Sequence, residues 1–272
     1  LPDSVIGNDS TNRVYRLGGR TTNTLTIDLS GSGNLTDVGG PTDVQIGSLA
    51  NLGPSGNWGL GQVLFADQNT YTGQTIIVRG SLLRFTSNSS LTGGPLGAPG
   101  ATPAHAYGVL RAEGVNGSFI DSTNSGNAYT NLILHPGSEL RFQDTSSSGA
   151  AANRWHDSAP IALNGTLLTL QTPNAVVTGS ETVGAISFER GSRVQAVTQS
   201  TAQITLNAAS VSRVDRGTLM IIPSAVSRLG IAPGANSERI MVTGAAPTNV
   251  AGTNMLPGYY GVQVENRFAT YG

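Results

Sequence analysis

The stretch Asn69–Phe85, "NTYTGQTIIVRGSLLRF", decides how the rest of the chain is read. An Asn, an aromatic residue and Thr-Gly make a turn. Thr75–Val78 is a β-branched run, Arg79-Gly80 turns the chain again, and Leu82–Phe85 carries the short apolar pattern of a second strand. Such a segment is either one hairpin in an ordinary β domain or one turn of a structure that repeats.

The rest of the chain favours repetition. With Gly80 as anchor, the residues three and five positions on are Leu83 and Phe85. The same offsets give Leu110 and Ala112 after Tyr107, Leu140 and Phe142 after Gly137, and Leu168 and Leu170 after Gly165. They give Val194 and Ala196 after Gly191, then Met220 and Ile222 after Gly217. From Gly80 to Gly217 these anchors recur at a nearly constant interval of about 27 residues, within the range of repeat architectures. Between anchors there is room for two more short strands, as in "TLLTLQT", "AVVTG" and "TVGAISFERG" after Gly165. Three strands per period of about 27 residues is the pattern of a parallel β-helix.

Geometry supports that choice over a sandwich. Strands about 4.8 Å apart set offset three of one turn on offset three of the next. Leu83, Leu110, Leu140, Leu168, Val194 and Met220 then form one internal ladder. In a sandwich, neighbouring strands run antiparallel and a fixed offset has no reason to stay apolar. Residues 1–68 fit the period less well and read as N-terminal coils or a cap. Residues 69–272 read as regular coils, with longer excursions after 217 and a short helical turn within 224–230.

Composition agrees. Of 272 residues 36 are Gly and 11% are charged, against about 25% charged in a typical soluble domain. Gly and Asn suit the corners of short strands, and few windows could sustain a helix. All 15 basic residues are Arg, so no Lys–Asn isopeptide can brace the chain. Cys is absent, which fits a bacterial surface protein that must cross an oxidising periplasm. A net charge of −1 gives no field for nucleic acid. No apolar run approaches the roughly 18 residues of a membrane span, so no membrane insertion by this segment is expected. A start without Met reads as a processed product or a piece of a longer chain.

The opening stretch resembles the autotransporter-associated β-strand repeat, an Asn-x-Tyr-Thr-Gly-x-Thr turn followed by a β-branched strand and Gly-x-Leu. Asn69, Tyr71, Thr72, Gly73, Thr75, Gly80 and Leu82 occupy the pattern positions. The C-terminal "RGTLMIIPSAVSRLG", "ERIMVTGAAP" and "GYYGVQVENRFATYG" are similar to segments of very large bacterial surface proteins that carry this repeat. The resemblance is specific over Asn69–Phe85 and looser elsewhere. It implies a right-handed parallel β-helix, exported and used as a passenger stalk or adhesin. Such proteins end in a membrane β-barrel, and the alternating, aromatic-girdled strands of one are not seen in this sequence.

Two groups of residues are candidate ligand contacts. Offset four reads Arg84, Arg111 and Arg141, a strip of like charges about 5 Å apart if the turns stack. It is either a bidentate binding strip for an acidic polysaccharide or a guanidinium stack met by Glu113, Glu139 or Asp144. The loop "NRWHDS", Asn153–Ser158, offers Trp155 for sugar stacking, or as a ring that packs on the helix flank and fixes the loop. Enzymatic β-helices need paired carboxylates or a calcium cluster. Here 16 Asp and Glu are scattered, and His105, His135 and His156 share no metal-ligand spacing. No catalytic residue, metal or cofactor is expected.

The expected protein is an all-β, right-handed single-stranded parallel β-helix without enzymatic activity, working outside the bacterial cell. The first functional expectation is a unit of a surface stalk, sheath or filament. Its partners would be its own copies, head to tail, or neighbouring segments of a larger chain. The alternative is an adhesin or glycan-binding passenger domain that contacts cell-surface polysaccharide through Arg84, Arg111, Arg141 or Trp155.

Overall fold

The structure is a computed structural model that describes residues 5–8, 13–18, 24–28, 35–47, 61–87, 94, 96–98, 103–114, 116–120, 129, 131–143, 153–172, 179–198, 203–233, 236–253, 255–263 and 267–268. The chain is all-β and forms a parallel β-helix with about 28 residues per turn. It divides into two compact units, Leu1–Glu139 and Leu140–Gly272.

The first unit holds β1 (Val5–Asn8), β2 (Arg13–Leu17), β3 (Thr24–Ile27), β4 (Asp43–Ile46) and β5 (Gln62–Phe65). It continues with β6 (Thr75–Ile77), β7 (Leu82–Phe85), β8 (Ala104–Ala106), β9 (Val109–Glu113) and β10 (Leu132–Leu134). One sheet runs β1-β2-β4-β6-β8-β10, and the other runs β3-β5-β7-β9. Apart from the antiparallel β1–β2 pair and the isolated antiparallel bridge Asn69–Gly94, the pairings described in this unit are parallel. The third side of the turn is built by chain outside strands: Tyr71 N–H donates to Leu35 O, and Ala98 N–H donates to Tyr71 O. The division between the two compact units falls within β11 (Glu139–Gln143).

The strands follow from alternation. In β7, Leu83 and Phe85 are buried while Leu82 and Arg84 stand outward; β5 repeats this with Val63 and Phe65. Register then stacks like on like: Val63 on Leu83, Leu83 on Leu110, Phe65 on Phe85, Phe85 on Ala112. The ladder therefore begins before residue 69, with Leu25 opposite Val63. The early turns escaped a fixed period because their corners differ in length. Thr24 pairs Gln62, Gln62 pairs Leu82 and Leu82 pairs Val109, so the first interval is nearly twice the second and the third lies between them.

The second unit holds β12 (Ile161–Asn164), β13 (Leu167–Thr172), β14 (Gly179–Glu189), β15 (Gly191–Thr198) and β16 (Ile204–Arg213). After it come β17 (Thr218–Ile221), β18 (Glu238–Val242), β19 (Tyr260–Val262) and β20 (Arg267–Phe268). Its sheets run β12-β14-β16-β18 and β13-β15-β17-β19-β20, parallel except for β19–β20. β14 serves two sides of its turn. Its first part lies beside residues 154–159, where Gly184 N–H donates to Ala159 O, and Ile186–Glu189 pairs β12. Its ladder with β16 skips the Gly184 position. A Cβ at Gly184 would stand 2.5 Å from Ser158 O, so only glycine lets the backbones approach this closely. The expected helical turn is a 3₁₀ turn at Val226–Arg228.

Leu140 and Leu168 are fully buried, and Leu168 stacks on Val194. Met220 does not continue the ladder. The corner Val214–Gly217 is closed by Gly217 N–H donating to Val214 O, with Asp215 left-handed at φ 49°. Gly191 consequently pairs Thr218 rather than Gly217, which sets Arg193 opposite Met220 and Val194 opposite Ile221. One residue of slip turns a strand over: Met220 is 36% exposed and Leu219 is the buried side chain.

Candidate functional site

The residues of the opening stretch tie one turn to the next. Asn69 is buried; its Oδ1 accepts from Leu35 N–H of the preceding turn at 3.1 Å, and its backbone exchanges two hydrogen bonds with Gly94 of the following turn. Tyr71 is fully buried, and its hydroxyl shares a 2.6 Å hydrogen bond with Thr75 Oγ1. Burial pushes the Tyr71 phenol far above its ordinary pKa. Thr72 donates through N–H and Oγ1 to the Asp37 carboxylate at 2.9 and 2.6 Å, and Gln74 N–H donates to Asp43 Oδ1 at 2.7 Å. Desolvation works against the Asp37 carboxylate, but the bonds from Thr72 and Thr42 and the Arg13 charge hold its pKa below the usual range. At Gly73 a Cβ would stand 2.3 Å from the Thr42 carbonyl carbon. These groups direct their hydrogen bonds and close contacts at neighbouring parts of the coil.

Arg84 and Arg111 stack directly in register. Glu113, on the same face of β9 as Arg111, lies between them. Its Oε1 accepts from Arg84 Nε at 2.8 Å and Nη2 at 2.5 Å, and its Oε2 stands 2.6 Å from Arg111 Nη2. The Glu113 side chain is almost wholly buried and the two Arg side chains are mostly so. Of the two readings of this pair, the structure has the guanidinium stack met by a carboxylate, and that carboxylate is Glu113. Arg141 sits half-buried on β11, and Asp144 lies outside the described residues.

Of the two readings of Trp155, the structure has the ring that packs and fixes its loop. A sugar-stacking ring must present a face, but Trp155 is only 5% exposed. Its Nε1 donates to Ala159 O at 3.0 Å, its ring centroid lies 6.1 Å from that of Phe142, and its N–H donates to Glu181 Oε1 at 2.9 Å. The loop folds inward because the buried Glu181 carboxylate collects the N–H groups of Arg154 and Trp155. Burial pushes the Glu181 carboxyl up to about 7, against the lowering effect of those two N–H bonds and the Arg154 charge. Glu238 does the same elsewhere in the second unit, accepting from Thr198 N–H, Ser224 N–H and the Ser224 hydroxyl.

The sequence reading kept the three histidines apart, but the first unit brings two of them together. His105 Nδ1 lies 3.2 Å from His135 Nε2, and the His135 ring stacks on Tyr107 with centroids 3.8 Å apart. The spacing that hides the pair is a corner effect. In one sheet Ala104 pairs Leu132. In the next, Gly108 O accepts from Glu139 N–H, which sets Val109 opposite Glu139, an interval longer by two positions. Anchors taken from one sheet therefore misplace the other by the same amount. Aligning "AHAY" on "LILH" strand by strand would have set His135 opposite Tyr107.

Comparisons of the chain with family models, with curated proteins and with solved structures give no match. Among the described residues no helix is long and apolar enough to cross a membrane, and no three or more His, Cys, Asp or Glu gather in one cluster that could hold a metal ion.

Proposed function

We propose that this chain is a non-enzymatic structural protein of the bacterial cell surface, a unit of a stalk, sheath or filament that lengthens by adding further turns at its ends. The observation that carries this reading is that sheets end in one-sided strands, among them β3 in the first unit and β18 in the second. In the first unit β3 pairs only β5 among the described strands; in the second, β18 pairs only β16 and meets Leu229 at Glu238 alone. A strand with one free edge is a template for another strand. β1 and β20 end their sheets in antiparallel pairs, which breaks the parallel register at those ends. The inward use of Asn69, Asp37, Asp43, Glu181 and Glu238 supports the same reading, since it locks turn to turn at the corners. Extracellular placement and the autotransporter-like passenger role rest on the resemblance and the composition.

The test is assembly. Sedimentation velocity and electron microscopy at rising concentration should show rods or fibres. Thr243 N–H donates to Ala208 O, and Gly230 N–H donates to Glu238 O. Alternation from these bonds turns the N–H of Ile240 to the free edge, so Ile240→Pro should suppress growth while leaving the β16 pairing intact. A species that stays monomeric at every concentration would refute the proposal.

A further inference from the structure

His105 and His135 lie on the outer face of the sheet that contains β8 and β10. The pairing Ala104–Ala106 on Leu132–Leu134, extended by one residue, sets His135 opposite Tyr107, two residues along from His105 on the same face. Both imidazoles are half-buried, and Ile133, paired with His105, is exposed beside them. Tyr107 lies flat against His135, with ring planes 8° apart, and the two imidazoles are themselves inclined by only 26°. The rings are thus held by a parallel ladder on one side and by a stacked phenol on the other.

We propose that His105 Nδ1 and His135 Nε2 form a two-imidazole site for a borderline divalent transition-metal ion such as Zn²⁺. Two nitrogens bound to one ion at about 2.0–2.1 Å stand roughly 2.9 Å apart at a right angle and roughly 3.4 Å apart at the tetrahedral angle. The observed separation of 3.2 Å falls between these limits, so the spacing suits one shared ion once each ring turns its lone pair from the hydrogen-bond line toward it. Without metal, one facing nitrogen must carry the proton of their hydrogen bond. On binding, that proton passes to the outer nitrogen of its own ring, and both facing lone pairs are free to ligate. Imidazole pairs select Zn²⁺, Ni²⁺ or Cu²⁺ over Ca²⁺ and Mg²⁺, which seek oxygen. With two protein ligands, the other coordination positions belong to water or to donor groups of a neighbouring molecule. Nothing in this inference depends on the stacking proposal.

The experiment is calorimetric titration of untagged, full-length protein with ZnCl₂ near neutral pH, beside a CaCl₂ titration. One zinc ion per chain, with no calcium heat, is the expected result. His105→Gln and His135→Gln should each weaken zinc binding by at least about tenfold, while His156→Gln, whose ring Nδ1 instead meets Ser158 Oγ, should bind as the native chain does. Circular dichroism of each variant checks that the fold is kept, and retention on an immobilised Ni²⁺ column gives a second readout in the same order. Zinc binding unchanged in both single variants, no zinc binding by the native chain, or equal heats with calcium would overturn the assignment.

Discussion

Glu113→Ala removes the carboxylate bonded to both Arg84 and Arg111, so the variant isolates what that group contributes. The native arrangement has Oε1 on Arg84 and Oε2 on Arg111, with the Glu113 side chain 3% exposed and the two Arg side chains 24% and 13% exposed. Without the carboxylate, two guanidinium charges stay stacked across adjacent strands. Repulsion of unit charges about 5 Å apart at an effective dielectric near 20 is roughly 3 kcal/mol. Removing one member of a largely buried ionic cluster costs about 3–5 kcal/mol by comparison with similar cases, and the two figures agree in size. Urea denaturation followed by circular dichroism should therefore show a loss of about 3–5 kcal/mol for Glu113→Ala, smaller at high salt. The second substitution is the sharper one. Arg84→Gln in the native background should cost about 1 kcal/mol, because Arg111 still meets Glu113. In the Glu113→Ala background the same change should restore about 2–3 kcal/mol, reversing its sign because it ends the repulsion. If Arg84→Gln destabilises both backgrounds equally, the carboxylate does not mediate between the two charges and the reasoning fails.

Glu181 makes a pH prediction. Its pKa stands higher in the folded chain, about 7, than the ordinary 4.5, so the folded state holds more protons between those values. The contribution to stability is fully present below pH 4.5 and is lost as pH rises through about 7, on the order of 3 kcal/mol in all. Glu181→Gln should flatten that part of the urea-midpoint profile; a profile of unchanged slope would exclude Glu181 as its source. Gly73→Ala forces a Cβ to within 2.3 Å of the Thr42 backbone and should destabilise by about 1–3 kcal/mol, seen as a lower melting temperature. The register at β17 is checked by a pair: Leu219→Ala should cost about 2–5 kcal/mol and Met220→Ala under about 0.5 kcal/mol. Equal losses would mean that the one-residue slip is wrong.

Much of the fold could be read in the residues because a stacked architecture repeats its own environment. Leu83 and Leu168 stay apolar at one offset because each is covered by the equivalent residue of the next turn, as the pairings of Leu83 with Leu110 and of Leu168 with Val194 make plain. Where the corner kept its length, the period could be read. Where it changed, the reading slipped: at Val214–Gly217, which turned Met220 outward, and around Pro136-Gly137, which hid the meeting of His105 with His135. The opening stretch reads as one turn of a coil from its pattern alone, but the jobs of its residues do not. Asn69, Thr72 and Gly73 act on Leu35, Asp37 and Thr42, a full turn earlier in the chain, and no local rule names those partners.

The amino-acid order by itself determined the class of architecture, because alternation within strands and a near-constant period across them are local, countable properties. It also determined the polar, sparsely charged, cysteine-free character of the chain. Only the tertiary structure decided which polar groups face solvent and which face one another. Whether Arg84 and Arg111 greet a ligand or Glu113, whether Trp155 lies open or covered, and whether two histidines touch depend on where each corner lets the next turn settle. A change of one or two residues in a corner moves a side chain to the other face or to the next rung, and that displacement leaves no mark on the local sequence pattern.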